Sequence, residues 1–502
     1  MPYRGFLPRK TTPRDLYQAT VFAKLLLPGS LELSSMKPST PHTDSLRANA
    51  LSFSSVLTQG ITHIAPAMGL VVTVQFVTTL AGIASPLAYG IAFLIVMLLG
   101  VCLAQLALHL PSAGGYYTYV SRSLNAKAGF LTGWMFLLYE PLTASVNLAY
   151  LGFLVQTTLH IEAHVSCPWY VIYLVCAVLI TVLIYRGIEI SAAVVMWLTI
   201  IECGIVLVLA VAGLMHPGDG HIQLQDFLPL HDFKQKGFYL AIVFSIFTYT
   251  GFEAIAPLAE ETRNPRRNLP RAILLSITLM GGFFVFACLA VLTGWGNSQI
   301  DSFAHSAENP VILLAKRLWG PAWILVLVAV INSILGVSIS GTNAAIRVFY
   351  AMGRAGSLPA SLAYIHPRFR TPVNAIVLQT IITLTIGVAI GFWIGPDQEY
   401  YFFGVAMTLL LIFIYSAGNI GVFFLYRREH PAEFRPVLHF LFPLLSTLSM
   451  VWVAYKSVVP LPDAPMRYAP ILVGSWLLGG LILLVTVPRA STMPLLPADS
   501  GN

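Results

Sequence analysis

The sequence predicts an all-α integral membrane protein with twelve transmembrane helices, and three observations predict it. Of 502 residues, 57% are hydrophobic and 10% charged, where a soluble domain carries about 25% charged residues. Twelve apolar stretches approach the roughly 20 residues that cross a bilayer, near 52–80, 86–108, 127–158, 169–185, 191–214, 237–260, 271–293, 322–346, 373–394, 400–425, 437–456 and 470–487. Two of them, the first and the sixth, are interrupted by Pro and Gly at mid-depth and stand five spans apart.

The chain opens with a proline-rich, basic segment, residues 1–46, that lacks a sustained apolar period. Residues 15–27 (DLYQATVFAKLLL) allow one short amphipathic helix, but the segment is too broken for a signal peptide. A cytoplasmic, largely disordered tail is expected. A start at Met36 would lead directly into the first span. That span, SFSSVLTQGITHIAPAMGLVVTVQFVTTL, carries Pro66 and Gly69 at its centre. Proline removes a helical N–H and clashes with the preceding turn, and glycine relaxes the backbone. The third span is long enough to tilt strongly. The sixth, LAIVFSIFTYTGFEAIAPLAEE, carries Gly251 and Pro257 at comparable depth, and both centres contain Ile-Ala-Pro, at 64–66 and 255–257. A short polar tail, 488–502, closes the chain.

Charge sets the orientation. With loops assigned alternately, the side holding both termini carries all but six of the 28 Lys and Arg (the six are Lys234, Lys236, Lys316, Arg317, Lys456 and Arg467). Lys/Arg bias in short loops places the richer side in the cytoplasm. The net charge of +7 is therefore a topology signal, and no aromatic-interleaved basic face suggests a nucleic-acid partner. The five cysteines have no metal-ligand spacing, so neither a disulfide nor a zinc site is expected from them, and no cofactor is implied.

Backbone that leaves helical geometry inside the hydrocarbon must line a cavity or pack against protein, because lipid satisfies no N–H or C=O. Two such breaks in corresponding positions of two five-helix halves point to a midplane binding site. Three acids lie well inside spans: Glu140, Glu202 and Glu253, with His63 as the one basic side chain at that depth. Carboxylates in that setting suit proton coupling or recognition of an organic cation. Substrate-binding candidates are Ala65, Pro66, Ala67, Met68 and Gly69 at the first break, Thr250, Gly251, Phe252 and Glu253 at the second, and Glu140. Tyr139, Tyr249 and Tyr401 are secondary candidates. A small-polar stripe in the eighth span (Asn332, Ser333, Ser338, Ser340, Thr342) reads as close helix packing.

The run PSAGGYYTYVSR at 111–122, AGFLTGW at 128–134, and GFE at 251–253 followed by EETRNPRRNLPRAI at 260–273 resemble the amino acid–polyamine–organocation superfamily, over about residues 52–430. The resemblance implies ten core helices in two inverted repeats of the leucine-transporter type (about 52–214 and 237–425, within a core of 47–430). Helices 11 and 12 would follow within 431–487. Many such permeases bind a substrate carboxylate on amides of a glycine-rich break in helix 1. Here that place reads IAPAMG and resembles the branch holding putrescine, ethanolamine and some amino-acid permeases. Pro66 cannot donate there, whereas Ala67, Met68 and Gly69 can. In proton-coupled members a helix-5 lysine after an L-T-x-x pattern stands at the ion locus. Leu198-Thr199-Ile200-Ile201-Glu202 matches it with glutamate in place of lysine, so Glu202 is a coupling-ion candidate, and His63, as a titratable histidine at that depth, is the other.

By the same resemblance Phe252 forms a lid over substrate, and Glu253 bonds backbone of helix 1 or 10. The loop after the sixth span offers an inner gate of Glu260 and Glu261 with Arg263 and Arg266. Individually such surface pairs are worth only about 0–1 kcal/mol. Nucleophile triads, phosphate-binding glycine loops and H-E-x-x-H are missing from the sequence, which argues against an enzyme or an ATP-driven pump. The expectation is a secondary active transporter of the plasma (inner) membrane that imports amino acids with protons by alternating access. The alternatives are a polyamine or ethanolamine permease or exchanger, then a channel or a transporter-like sensor. Oligomeric state stays open.

Overall fold

A computed structural model of the chain describes residues 45–222, 227, 237–459 and 463–487. The expectations for residues 1–44 (disorder, a helix at 15–27, a start at Met36), for Lys234 and Lys236, and for the tail 488–502 lie outside them. At the end assigned to the tail, Leu46 is buried with Ala113, Tyr350, Ala351 and Ile365, so packed structure begins slightly earlier than expected.

Pro66 shapes the first span. Helix α1 (Phe53–Ile64) starts where the Ser52 hydroxyl accepts from the Ser55 amide at 3.2 Å. It ends because a residue before proline is driven out of the right-handed helical region. Ala65 takes the left-handed conformation (φ 56°, ψ 68°), and α2 (Pro66–Val71) begins at once with proline in its first turn. Proline is at home there because first-turn amides have no helical acceptor. The break is thus one residue long, where residues 65–69 were expected to be open. Helix α3 (Thr73–Ala81) completes the segment.

Helices α4 (Ser85–His109), α5 (Tyr116–Ser123), α6 (Ala126–Ala163), α7 (Trp169–Tyr185) and α8 (Ile188–Met215) follow. The sixth span is α9 (Phe238–Thr248), a turn at Gly251, and a 3₁₀ helix, Phe252–Glu261. Ten residues of 3₁₀ helix are unusual, since its hydrogen bonds are poorer than those of an α-helix. Then come α10 (Pro265–Trp295), the short α11 (Ile300–Ala304) and α12 (Pro310–Trp319), and α13 (Ile324–Arg354). Helices α14 (Val373–Ile382) and α15 (Val388–Ile394) are joined by a π turn, Thr383–Gly387. Helices α16 (Pro396–Arg428), α17 (Phe442–Val458) and α18 (Ala469–Thr486) end the described chain.

The described residues hold no β-strand, only two isolated bridges. One matters for the site: Leu51 donates to the Glu261 carbonyl at 2.9 Å and accepts from the Arg263 amide at 3.0 Å, pinning the lead-in of α1 to the end of the 3₁₀ helix.

Among the described residues, ten helical stretches are long and apolar enough to cross a membrane. Two of the twelve expected spans are not among them, each for a physical reason. The first is divided at Ala65, and α7 has 17 residues, about 25 Å at 1.5 Å per residue. The outward faces of α7, α8 and α18 expose Leu179, Trp197, Val208, Ile471 and Val485. An apolar surface that extensive belongs in a bilayer.

Candidate functional site

The two breaks meet. Gly251 has φ +121°, a conformation that L side chains rarely adopt, and a Cβ there would lie 2.6 Å from the His63 carbonyl. Only glycine lets the second break rest against the first. Gly69, one turn on, is pressed by Phe284 and Thr248, where a Cβ would come within 2.8 Å and 2.9 Å of their side chains.

Each break is held by a carboxylate. At the second, Glu253 accepts from the Tyr139 and Tyr415 hydroxyls at 2.7 Å each and from the Gly251 amide at 2.9 Å. Two of these donors are side chains of α6 and α16, where backbone of the first or tenth helix was expected. At the first break, Glu202 of α8 accepts from the Ala67 amide at 3.4 Å. Met68 donates to the Ser333 hydroxyl at 3.2 Å, and Gly69 donates to the Ala65 carbonyl at 2.7 Å. All three amides that the sequence offered for a substrate carboxylate therefore have internal partners. Around them the Thr62 and Thr199 hydroxyls bond, and Asn332 donates to the Leu198 carbonyl at 2.8 Å, so α1, α8 and α13 share one polar seam.

The remaining acids are less satisfied. Glu140 is fully buried, neither of its oxygens has a hydrogen-bond partner among the described residues, and its Oε1 lies 3.7 Å from His63 Nε2. The other ring nitrogen of His63 lies 2.9 Å from the Ser340 hydroxyl. Glu202 Oε1 is also without a partner. A further fully buried acid escaped the sequence reading: Glu399, in the first turn of α16, with both oxygens unpartnered among the described residues. It lies just before the apolar run, and nothing local singled it out.

A cavity of about 80 Å³ opens at the junction. Of the predicted residues, His63, Ala65, Met68, Gly69, Thr250 and the secondary candidate Tyr139 line it, joined by Thr143, Asn147, Tyr400 and Met407. Pro66, Ala67, Gly251, Phe252, Glu253, Glu140 and Glu202 are not on its wall. Phe252, expected as a lid, is wholly buried and stacks on Tyr415 with ring centres 5.7 Å apart. Tyr400 takes the position for which Tyr401 was considered.

On the opposite side of the breaks the bundle is shut. Phe252 through Ala259 are all buried. Glu260 receives a two-pronged bond from Arg354, at 2.5 and 2.9 Å, and accepts from the Ala113 amide at 3.1 Å. Glu261 pairs with Arg347, both side chains being almost wholly buried. These pairings correct the sequence reading, which joined the two acids to arginines of their own loop. Arg263 instead donates to the Asn49 carbonyl at 2.9 Å, and Arg266 stands exposed in the first turn of α10. The α13 arginines win because the 3₁₀ helix points both acids inward. A signal was available: Arg347 and Arg354 are seven residues apart, hence on one face of α13.

A bundle of membrane-crossing helices, apolar outside and holding a polar junction at two helix breaks, defines a multi-pass membrane transporter. Residues 55–485 match the family model for amino acid permeases, and the chain belongs to that family. It is 26% identical to the methylthioribose transporter of Bacillus subtilis, over 77% of this chain and 83% of that protein. It is 29% identical to a low-affinity putrescine importer of Escherichia coli, over 69% and 76% of the two chains. A cationic amino acid transporter of Arabidopsis thaliana is 25% identical over 89% of this chain and 77% of its own length. The family and these relatives are transporters.

Proposed function

We propose that the protein is a secondary active transporter importing small amine-bearing solutes, amino acids first among them, together with protons by alternating access. The observation that carries the proposal is Glu202: a buried carboxylate bonded to the Ala67 amide at the first break, with its second oxygen unpartnered. Loading or unloading a proton there changes what holds the break, which links an ion to the substrate cavity. Glu140 stands behind His63 of the cavity wall and gives that wall a negative pole for an ammonium group, with no Lys or Arg among the residues lining the cavity. The pairs Glu260–Arg354 and Glu261–Arg347 form the gate that opens on the other side, in place of the loop arginines Arg263 and Arg266.

In this reading the broken segment Phe53–Ala81 and the 17-residue α7 each cross the membrane, which gives twelve spans. The two broken segments then occupy matching places in inverted repeats, about 52–214 and 237–425, with two helices following in 431–487. Both termini face the cytoplasm of a plasma (inner) membrane, in keeping with the Lys/Arg bias.

One observation favours a second reading, an organic-amine permease for polyamines or ethanolamine. The amides of Ala67, Met68 and Gly69 are already engaged by Glu202, Ser333 and Ala65, so a substrate with no carboxylate displaces nothing. Uptake by proteoliposomes of labelled amino acids, putrescine and ethanolamine, each with and without an inward proton gradient, separates the readings. Gradient-driven accumulation of an amino acid supports the first, and accumulation of the amines alone supports the second. Strict sodium dependence, or downhill flux with no accumulation, overturns proton-coupled transport.

A further inference from the structure

Away from the cavity, a groove on the outer surface runs between α7 and α14, and matched stripes form its walls. Val182, Tyr185 and Arg186 at the end of α7 stand across it from Val377, Thr380 and Ile381 of α14. Each set is spaced i, i+3, i+4, which puts its members on one side of the helix. The groove measures about 360 Å³, within the usual range of small-molecule sites. We propose that it binds an anionic phospholipid, with an acyl chain lying along the stripes and the phosphate held by arginines at the groove's end.

The body of the groove suits hydrocarbon. Val182, Val377 and Ile381 are exposed on the apolar outer surface. The hydroxyls of Thr181 and Thr380 meet at 3.1 Å, and each donates to a carbonyl of its own helix, Ala177 at 2.8 Å and Ile376 at 2.9 Å. The floor therefore asks only apolar contact of a guest. The end of the groove has the opposite character. Arg186 is exposed and has no carboxylate partner among the described residues. Phe369 lines the groove beside Tyr185, ring centres 5.4 Å apart, and the Arg368 guanidinium lies 5.5 Å from the Phe369 ring centre. Glu189, the acid nearest Arg186 in the chain, is taken by Arg47 at 2.8 Å. Two cations without an acid, at the end of an apolar trough, match a phosphate that carries a hydrocarbon chain. Guanidinium groups bind phosphate through paired N–H donors, and basic pockets between membrane helices take anionic headgroups. A choline headgroup would meet no free carboxylate there, so zwitterionic lipid gains less.

Such a lipid would brace α7 against α14 and, by binding the folded state, raise its melting temperature. The test uses the full-length protein, delipidated in detergent. Dioleoylphosphatidylglycerol or dioleoylphosphatidylcholine is titrated back, and retention is read by native mass spectrometry. One phosphatidylglycerol is expected to be held about tenfold or more tightly than phosphatidylcholine, since two arginines favour it. Its affinity is expected to fall about fivefold in Arg186→Gln and again in Arg368→Gln, and by about the product in the double variant. Val182→Trp, which fills the groove, is expected to weaken both lipids. The altered side chains are exposed, and melting without lipid checks that each variant folds. Arg267→Gln, at an exposed position in the first turn of α10, controls for general surface charge. Equal retention of the two lipids, binding untouched by the arginine or tryptophan substitutions, or an equal loss in Arg267→Gln overturns the site. Displacement by glycerol phosphate at the lipid's own concentration also overturns it, by marking a site for free anions. Because no transport is measured, the outcome is independent of the substrate and coupling reading.

Discussion

The two helix breaks are each held by a glutamate, yet the glutamates are held very differently. Glu253 receives three short bonds, from Tyr139, Tyr415 and the Gly251 amide. Glu202 receives one long bond from Ala67 and keeps an oxygen unpartnered. A carboxylate saturated by three donors is a fixed strut, because any change in its protonation leaves donors unsatisfied. One with spare bonding capacity can exchange a proton at small structural cost. In the proposed mechanism the contrast gives scaffold to the second break and switching to the first, although the sequence showed two similar Gly/Pro interruptions.

The largest effect is expected away from both breaks. Arg347→Ala leaves Glu261 buried without its cation, a change that costs about 3–5 kcal/mol in such settings. A sharp loss of folded protein is expected in a thermal-melting assay in detergent, whereas a small change would mean the pair is not closed. Gly251→Ala follows: a Cβ 2.6 Å from the His63 carbonyl at φ +121° forces the breaks apart. Roughly 2–4 kcal/mol of destabilisation and no uptake are expected, and wild-type uptake would refute the close approach. Removing one donor from the strut, Tyr415→Phe, is expected to cost about 1 kcal/mol in the same melting assay. Glu253→Ala should exceed it, since it orphans all three donors; equal losses would erase the distinction between the two glutamates.

Much of this was legible in the chain. Pro66, Gly69 and Gly251 marked the breaks because proline and positive-φ glycine impose backbone geometry locally. Charged loops and apolar runs located the helices for the same reason. What escaped depended on distance in sequence. Ser333 read as a packing residue and nothing singled out Tyr415 until the fold set them against Met68 and Glu253. Arg347 and Glu399 each fell just outside an apolar stretch, at 322–346 and 400–425, and nothing local singled them out. The amide partners at Ala67, Met68 and Gly69 were also invisible, and they bear directly on whether a carboxylate fits.

The central claim, that Glu202 is where the proton acts, is tested most directly by Glu202→Gln in proteoliposomes. Glutamine can still accept from the Ala67 amide, so folding is expected to persist to within about 1 kcal/mol. The account predicts that the variant still exchanges internal for external substrate but no longer accumulates it against a gradient, whatever the pH difference. Accumulation at the wild-type level, with the wild-type dependence on the proton gradient, would contradict it.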